Sequence, residues 1–262
     1  MLARDLKQGG KQSSPVDHLR EAWARKQAPF EVDEGRISLQ IEDLAGRFNL
    51  NSLVVNQTAN PQAKKRFEQL LRTLQIDPQY ADRLVDWLDE GQDPSGASGA
   101  EDNQYLLLQP GYRTGNRRLQ DVSELRLLLE LSERDYRRLQ PYVSALPADT
   151  KLNVNTASAL VLSTLSDTLS LQQAQELVQS RGAQGYRTLG EFTDKVPGVL
   201  ADNIALGSSF FQARSEVQLG ERKRVLISVL QREADGRVLV LQRDLGQSAR
   251  VLVMDKKLEE QP

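Results

Sequence analysis

Two spacings of apolar residues divide this chain. Near its start, after Trp23 and Phe30, the stretch "GRISLQIED" (35–43) sets Ile37, Leu39 and Ile41 at alternate positions, the period of a strand with one buried face. From Ser209 the same alternation returns in "FFQARSEVQL", "RKRVLISVLQRE" and "RVLVLQRDL". Val, Leu and Ile are frequent there, and "ADG" between the last two marks a tight hairpin. These segments predict an antiparallel meander. Between them the spacing changes to threes and fours. "PQAKKRFEQLLRTL" carries Pro61 at a first helical turn and puts Phe67, Leu70, Leu71 and Leu74 on one face. "DPQYADRLVDWLDEG" predicts a second helix ending at Gly91, and "VSELRLLLEL" a strongly apolar third. "SERDYRRLQPYVSALP" predicts another, begun at Ser132 and stopped at Pro141. In "VNTASALVLSTL" the expected N-cap is Asn155, with Ala157, Leu160, Val161 and Leu165 as the buried side. Strand material at both ends with helices between predicts an α+β protein. Residues 1–60 and 208–262 are expected to form one β-containing domain, interrupted by a helical domain over 61–207.

The composition agrees with a folded chain and removes most chemistries. A length of 262 residues can bury two cores, and 39% hydrophobic with 27% charged residues describes a globular protein, with no long uncharged apolar run. No cysteine is present and His18 is the sole histidine, so disulfides, thiolate metal sites, cysteine nucleophiles and histidine-based triads lack material. No separated pair of carboxylates stands out for acid–base work, so no enzyme is expected. The opening "MLARDLKQGGKQSSPVD" is neither a signal core nor a membrane span. Met1 before amphipathic "LARDLKQ" reads as a start placed inside a longer helix, with further sequence expected upstream. The tail "DKKLEEQP" reads as a solvated end.

Two stretches carry candidate chemistry. The first, "LNVNTASALVLSTLSD" with "AQELVQSRGAQGYRTLGEFTDKVPGV", is similar to a helix-hairpin-helix DNA reader, in which backbone N–H groups of a glycine-bearing turn hold a phosphate. The turn itself departs from that pattern: "SDTLSLQQ" has no glycine, and Asp167 sets a negative charge where the phosphate would sit. From Asn153 to Gly207 three basic residues (Arg181, Arg187, Lys195) face five acidic ones (Asp167, Glu176, Glu191, Asp194, Asp202), the wrong sign for a phosphate grip. The whole chain, at net −2, supplies no compensating field, so no nucleic acid is expected as a partner. The second stretch, "DWLDEGQDPSGASGAED", gathers Asp86, Asp89, Glu90, Asp93, Glu101 and Asp102 around a Gly- and Ser-rich loop that is long for a compact domain. Two readings stand at this point. Asp86 and Asp89 are the polar face of a helix followed by a solvated loop, or the carboxylates share a hard cation, for which oxygen ligands with flexible spacing suit calcium.

"GRFNLN", "DWLDEGQDP…GAED..Y" and "LNVNTA", in that order, resemble the minor pseudopilin K family of the bacterial type II secretion system, also called general secretion pathway protein K. The resemblance spans nearly the whole chain. It implies a pilin-like domain, an N-terminal helix plus an antiparallel sheet, interrupted by a large inserted all-α domain with helix-hairpin-helix or SAM-like hairpins. It also implies an N-terminal anchor helix in the inner membrane, absent from this chain, and a periplasm-facing position at the pseudopilus tip. Minor pseudopilins I and J are the implied partners, with the major pseudopilin and exoprotein substrates beyond them. A structural calcium ion in the helical domain is the implied cofactor, with Asp89, Asp93, Glu101 and Asp102 as its ligands. The rival expectation is a helix-hairpin-helix DNA-binding protein of the competence type.

Overall fold

The computed structural model describes Leu2 and residues 16–245. Apart from Leu2, the expected amphipathic start and the solvated tail lie outside the described residues. The chain forms two compact units. One takes the residues up to Leu44, Gly182–Arg187 and those from Leu206 onward, and the other takes Ala45–Arg181 and Thr188–Ala205.

The first unit is built on one five-stranded sheet. Numbered along the chain, its strands are β1 (Phe30–Val32), β2 (Gly35–Asp43), β9 (Phe210–Leu219), β10 (Arg222–Arg232) and β11 (Val238–Asp244). They lie side by side in that order, and every neighbouring pair is antiparallel. The alternating segments of the sequence became these strands. Gly236, with φ of 85°, closes the β10–β11 connection in a left-handed conformation that glycine adopts without steric cost. At the centre, β2 pairs with β9 from Gly35 opposite Leu219 to Asp43 opposite Phe211. Trp23 and Phe211 meet edge to face at 5.2 Å and, with Leu2, form a buried cluster flanked by Ile41, Leu230 and Val238. Beside it lies a buried ion pair between Asp17 and Arg232. Asp17 also accepts from the Ser208 N–H at 2.7 Å, and the Arg232 guanidinium sits 5.0 Å from the Phe211 ring. Hydrogen bonds and an aromatic face thus accompany the paired charges, as burial of an ion pair requires.

The second unit holds seven helices among the described residues: α1 (Pro61–Thr73), α2 (Tyr80–Leu88), α3 (Asp102–Tyr105), α4 (Glu133–Leu139), α5 (Ala159–Ser163), α6 (Leu171–Ser180) and α7 (Leu189–Thr193). Helix α1 starts as the sequence predicts, with Pro61 in its first turn and the Asn60 side chain accepting from the Ala63 N–H at 3.2 Å. Its Phe67, Leu70 and Leu71 are fully buried, and Phe67 stacks on Phe48 at 5.4 Å.

The unit is mainly helical rather than all-α as expected. Three two-stranded ladders lie in it: β3 (Phe48–Asn49) with β6 (Val143–Ser144), β4 (Val54–Val55) with β5 (Thr58–Ala59), and β7 (Leu152–Asn153) with β8 (Ile204–Ala205). Residues 45–60 belong to this unit, because Leu50 and Leu53, on a single 3-10 turn after β3, are completely buried there.

"FNLN" is a clamp. The Asn49 amide donates to the Pro147 carbonyl at 2.7 Å and its oxygen accepts from the Leu146 N–H at 3.0 Å. The Asn51 amide donates to the Leu119 and Leu146 carbonyls at 3.0 and 2.9 Å and accepts from the Leu119 N–H at 2.8 Å. Buried amides are tolerated because their hydrogen-bonding capacity is met.

Two other expectations are corrected. "VSELRLLLEL" forms only a 3-10 helix, Val122–Leu127, after which Leu128 turns extended. The N-cap of α5 is Ser158, which accepts from the Val161 N–H at 3.3 Å, while Asn155 is buried one turn earlier and donates its N–H to the Asn153 side chain at 3.0 Å.

Candidate functional site

The acidic loop is organised from its helical end. Asp86 stands in the last turn of α2, as the helix spacing requires, but it is 0% exposed and so does not belong to a solvated polar face. Its two oxygens accept from the backbone N–H groups of Ser95 at 2.8 Å and Ala100 at 2.7 Å, pulling both limbs of the loop onto the helix. Gly99 permits this approach, since a Cβ there would lie 2.3 Å from Asp86 Oδ2. Asp89 ends α2 and accepts from the Gly91 N–H at 3.0 Å. Behind the loop Trp87, Tyr105 and Tyr112 form an aromatic cluster, with Trp87 and Tyr105 at 5.4 Å and Tyr105 and Tyr112 at 5.5 Å.

Glu101 is the distinctive group. It precedes α3, its backbone N–H donates to the Gln104 side chain at 2.9 Å, and it is 2% exposed. Both of its carboxylate oxygens are buried without a hydrogen-bond partner. Burial, followed by the negative charges of Asp86, Asp89, Asp102 and Asp93, pushes its pKa up to about 7. Asp86 and Asp89 are also raised, in each case chiefly by burial.

Asp102 behaves differently. Burial disfavours its charge, but hydrogen bonds from the Thr114 hydroxyl at 2.9 Å and N–H at 3.0 Å outweigh that, aided by Arg113 at 2.9 Å, and its pKa falls below the usual range. Asp93 is exposed, and Glu90 accepts from the Gln57 side chain at 2.9 Å. Of the expected ligands, then, Asp89, Asp93 and Asp102 lie close enough to act electrostatically on Glu101, but Asp102 is largely occupied by protein donors. Among the described residues no three His, Cys, Asp or Glu side chains are grouped in a geometry that would hold a metal ion. Asp86, which anchors the loop, was legible only as an acid on a helix. The signal for its role is the pair of small residues, Ser95 and Gly99, placed to let the backbone reach it.

In the helix-hairpin-helix-like segment, α5 and α6 are joined through residues 164–170, and Ser170 opens α6 by accepting from the Gln173 N–H at 3.2 Å. Asp167, exposed in that turn, forms an ion pair with Lys65 of α1. A carboxylate therefore holds the place a phosphate would need, and it has a protein partner. Among the described residues no helix is long and apolar enough to cross a membrane.

Two family models, each described as "Type II secretion system (T2SS), protein K", match residues 46–148 and 152–208. The chain is 50% identical over 257 residues to type II secretion system protein K of Pseudomonas aeruginosa, covering 94% of this chain and 77% of that protein. It is 36% identical over 268 residues to type II secretion system protein K of Klebsiella pneumoniae, covering 94% and 81%. Its fold is similar to a chain in the crystal structure of the GspK-GspI-GspJ complex of the enterotoxigenic Escherichia coli type 2 secretion system. The TM-score there is 0.82 at 26% identity, covering 94% of this chain and 91% of that one. On the strength of these matches over nearly its whole length, the chain belongs to the protein K family of the type II secretion system.

Proposed function

We propose that the protein is a non-enzymatic minor pseudopilin, seated with minor pseudopilins I and J at the tip of the pseudopilus, where it supports pseudopilus assembly and the export of folded exoproteins. The observation that carries this reading is the sheet: β2 and β9 are hydrogen-bonded neighbours, yet the chain between them builds the separate helical unit. That arrangement supports a pilin-like domain interrupted by an insert. The similar GspK chain was crystallised in complex with GspI and GspJ. A bulky insert also supplies a physical reason for tip placement, because a subunit carrying it obstructs another stacking above. The membrane connection in this reading is an anchor helix preceding the sheet domain, which faces the periplasm. Mixed with minor pseudopilins I and J, the protein is expected to co-elute from gel filtration as a stoichiometric complex, and separate elution at micromolar concentrations overturns the proposal.

The acidic loop is proposed to take a structural calcium ion. What supports this is the chemistry of the side chains: Glu101 has both oxygens unpartnered beside the negative charges of Asp89 and Asp93, oxygen donors of the kind a hard cation takes, although the described side chains are not drawn together around one point. Asp102 Oδ2 receives a single hydrogen bond, from Arg113, and so retains acceptor capacity. The ion would supply charge neutralisation to a loop that otherwise buries repelling carboxylates. A melting temperature that is equal in calcium and in chelator removes this part of the reading, since a ligand bound only by the folded state raises stability. DNA binding, the rival, is not favoured by the Asp167–Lys65 pair, and no gel shift is expected even at low salt.

A further inference from the structure

Residues 16–29 run through the first unit as a strap, with neither helix nor strand. Only two of their side chains, Asp17 and Trp23, are buried, and the two hold the strap in different ways. Trp23 packs edge to face on Phe211 beside Ile41, Leu230 and Val238. Apolar packing of that kind is strong but has no direction of its own. Asp17 is directional. Its N–H donates to the Leu206 carbonyl at 2.9 Å, and its carboxylate accepts from the Ser208 N–H at 2.7 Å and from the Arg232 guanidinium. Arg232, the last residue of β10, also donates from its side chain to the Ser208 carbonyl at 2.7 Å and from its backbone to the Ser209 carbonyl at 2.7 Å. One ion pair therefore joins three pieces of chain: the strap, the stretch by which the chain re-enters this unit, and the end of a central strand.

Both side chains of the pair are 1% exposed. Desolvation of two charges offsets most of their attraction, so a pair buried this deeply adds little net stability, and apolar replacements are often neutral or favourable. Breaking the pair is different, because it leaves a lone buried charge. Another seating of the strap leaves one, and so does a slip of β10 by one residue, which turns Arg232 to the opposite face of the sheet. Uniqueness of position is what the pair supplies.

We propose that Asp17 and Arg232 form a register lock, a conformational device that fixes where the strap is seated on the sheet rather than how stable the sheet is. Under the function proposed above, in which an anchor helix precedes the sheet domain, the lock sets the point at which the domain is joined to that anchor. A load arriving from the N-terminal side passes at Asp17 into the end of β10 and the Ser208 backbone. The lock itself does not depend on that function, and its test needs neither partner nor membrane, so either can fail alone.

The test compares the intact chain with Asp17→Asn and with the double variant Asp17→Leu, Arg232→Met, by urea denaturation and two-dimensional NMR. Asp17→Asn leaves the Arg232 charge alone in the interior and is expected to lower the urea midpoint by about 1 M. The double variant removes both charges and is expected to return the midpoint to that of the parent or above it. Its strap, however, is expected to lose its single seating. The chain has two tryptophans, so the indole N–H of Trp23 reports on the strap and that of Trp87, in the helical unit, serves as the internal control. In the double variant the Trp23 signal and the amides of residues 17–25 are expected to double or broaden, while Trp87 and the β2 amides of Leu39 and Ile41 stay single. A single sharp Trp23 signal in the double variant overturns the proposal, because packing alone then sets the seating. A midpoint that stays as low as that of Asp17→Asn, or a double variant that does not fold, overturns it as well, because the pair is then an ordinary stabiliser.

Discussion

At Glu101 the carboxylate is buried among four other acids, and the consequence for stability has a definite sign. Its folded-state pKa of about 7 lies above the ordinary 4.5, so the folded protein holds this proton more tightly than the unfolded chain. The associated stability is fully present below pH 4.5 and is lost as the pH rises through 7. Without a divalent cation, the melting temperature is expected to fall over that window. Glu101→Gln is expected to flatten the profile and to reduce any stabilisation by calcium, as differential scanning calorimetry across pH would register. The asparagine clamp makes a different demand. Asn51→Ala strips partners from the Leu119 N–H and from the Leu119 and Leu146 carbonyls in a buried setting. A loss of about 3 kcal/mol is expected in urea denaturation. The "GRFNLN" motif that carried the family resemblance is in this light a packing device, in which the polar residues hold three stretches of backbone together.

Helices and strands were legible where a period had room to repeat. The nine residues of β2 and the thirteen of α1 each show several cycles of their spacing, and the structure places them as expected. The two-residue ladders are too short to contain a cycle and left no trace in the pattern, although they shape the second unit. "VSELRLLLEL" misled because the burial of Leu125 and Leu128, three apart, keeps the spacing of a helical face, while the backbone makes only a 3-10 helix and turns extended at Leu128. The one-turn helix α3 lay hidden in the long loop, its only sign the Glu101 and Gln104 spacing of a helix start. The cap of α5 was read as Asn155, but that residue is drawn into the interior and Ser158 caps the helix instead. Ser158→Ala is accordingly expected to cost about 1 kcal/mol. That corresponds to a melting temperature lower by about 2–4 °C in a thermal scan.

For the molecule as a whole, the apolar spacing changes twice along the chain and so announces strands at both ends with helices between, but it gives no sign that residues 45–60 join the helical unit or that Gly182–Arg187 join the sheet unit. The acidic loop's ligand set was less legible, because burial decides which of several similar carboxylates matter, and burial is a tertiary property. The sheet has one more implication. Its first strands leave the ribosome early, yet Asp43 of β2 must wait for Phe211 of β9, some 170 residues later, before it can pair. Closing a flexible loop of that length carries an entropic penalty of about 4–5 kcal/mol. If the intervening helices fold beforehand, the distance to be closed shrinks to the gap between the ends of an ordered body. Pulsed hydrogen exchange during refolding is therefore expected to protect the amides of α1 and α2 before those of β2. A strand translated well before its partner would be among the last elements to acquire structure, and it needs shelter until that late partner arrives.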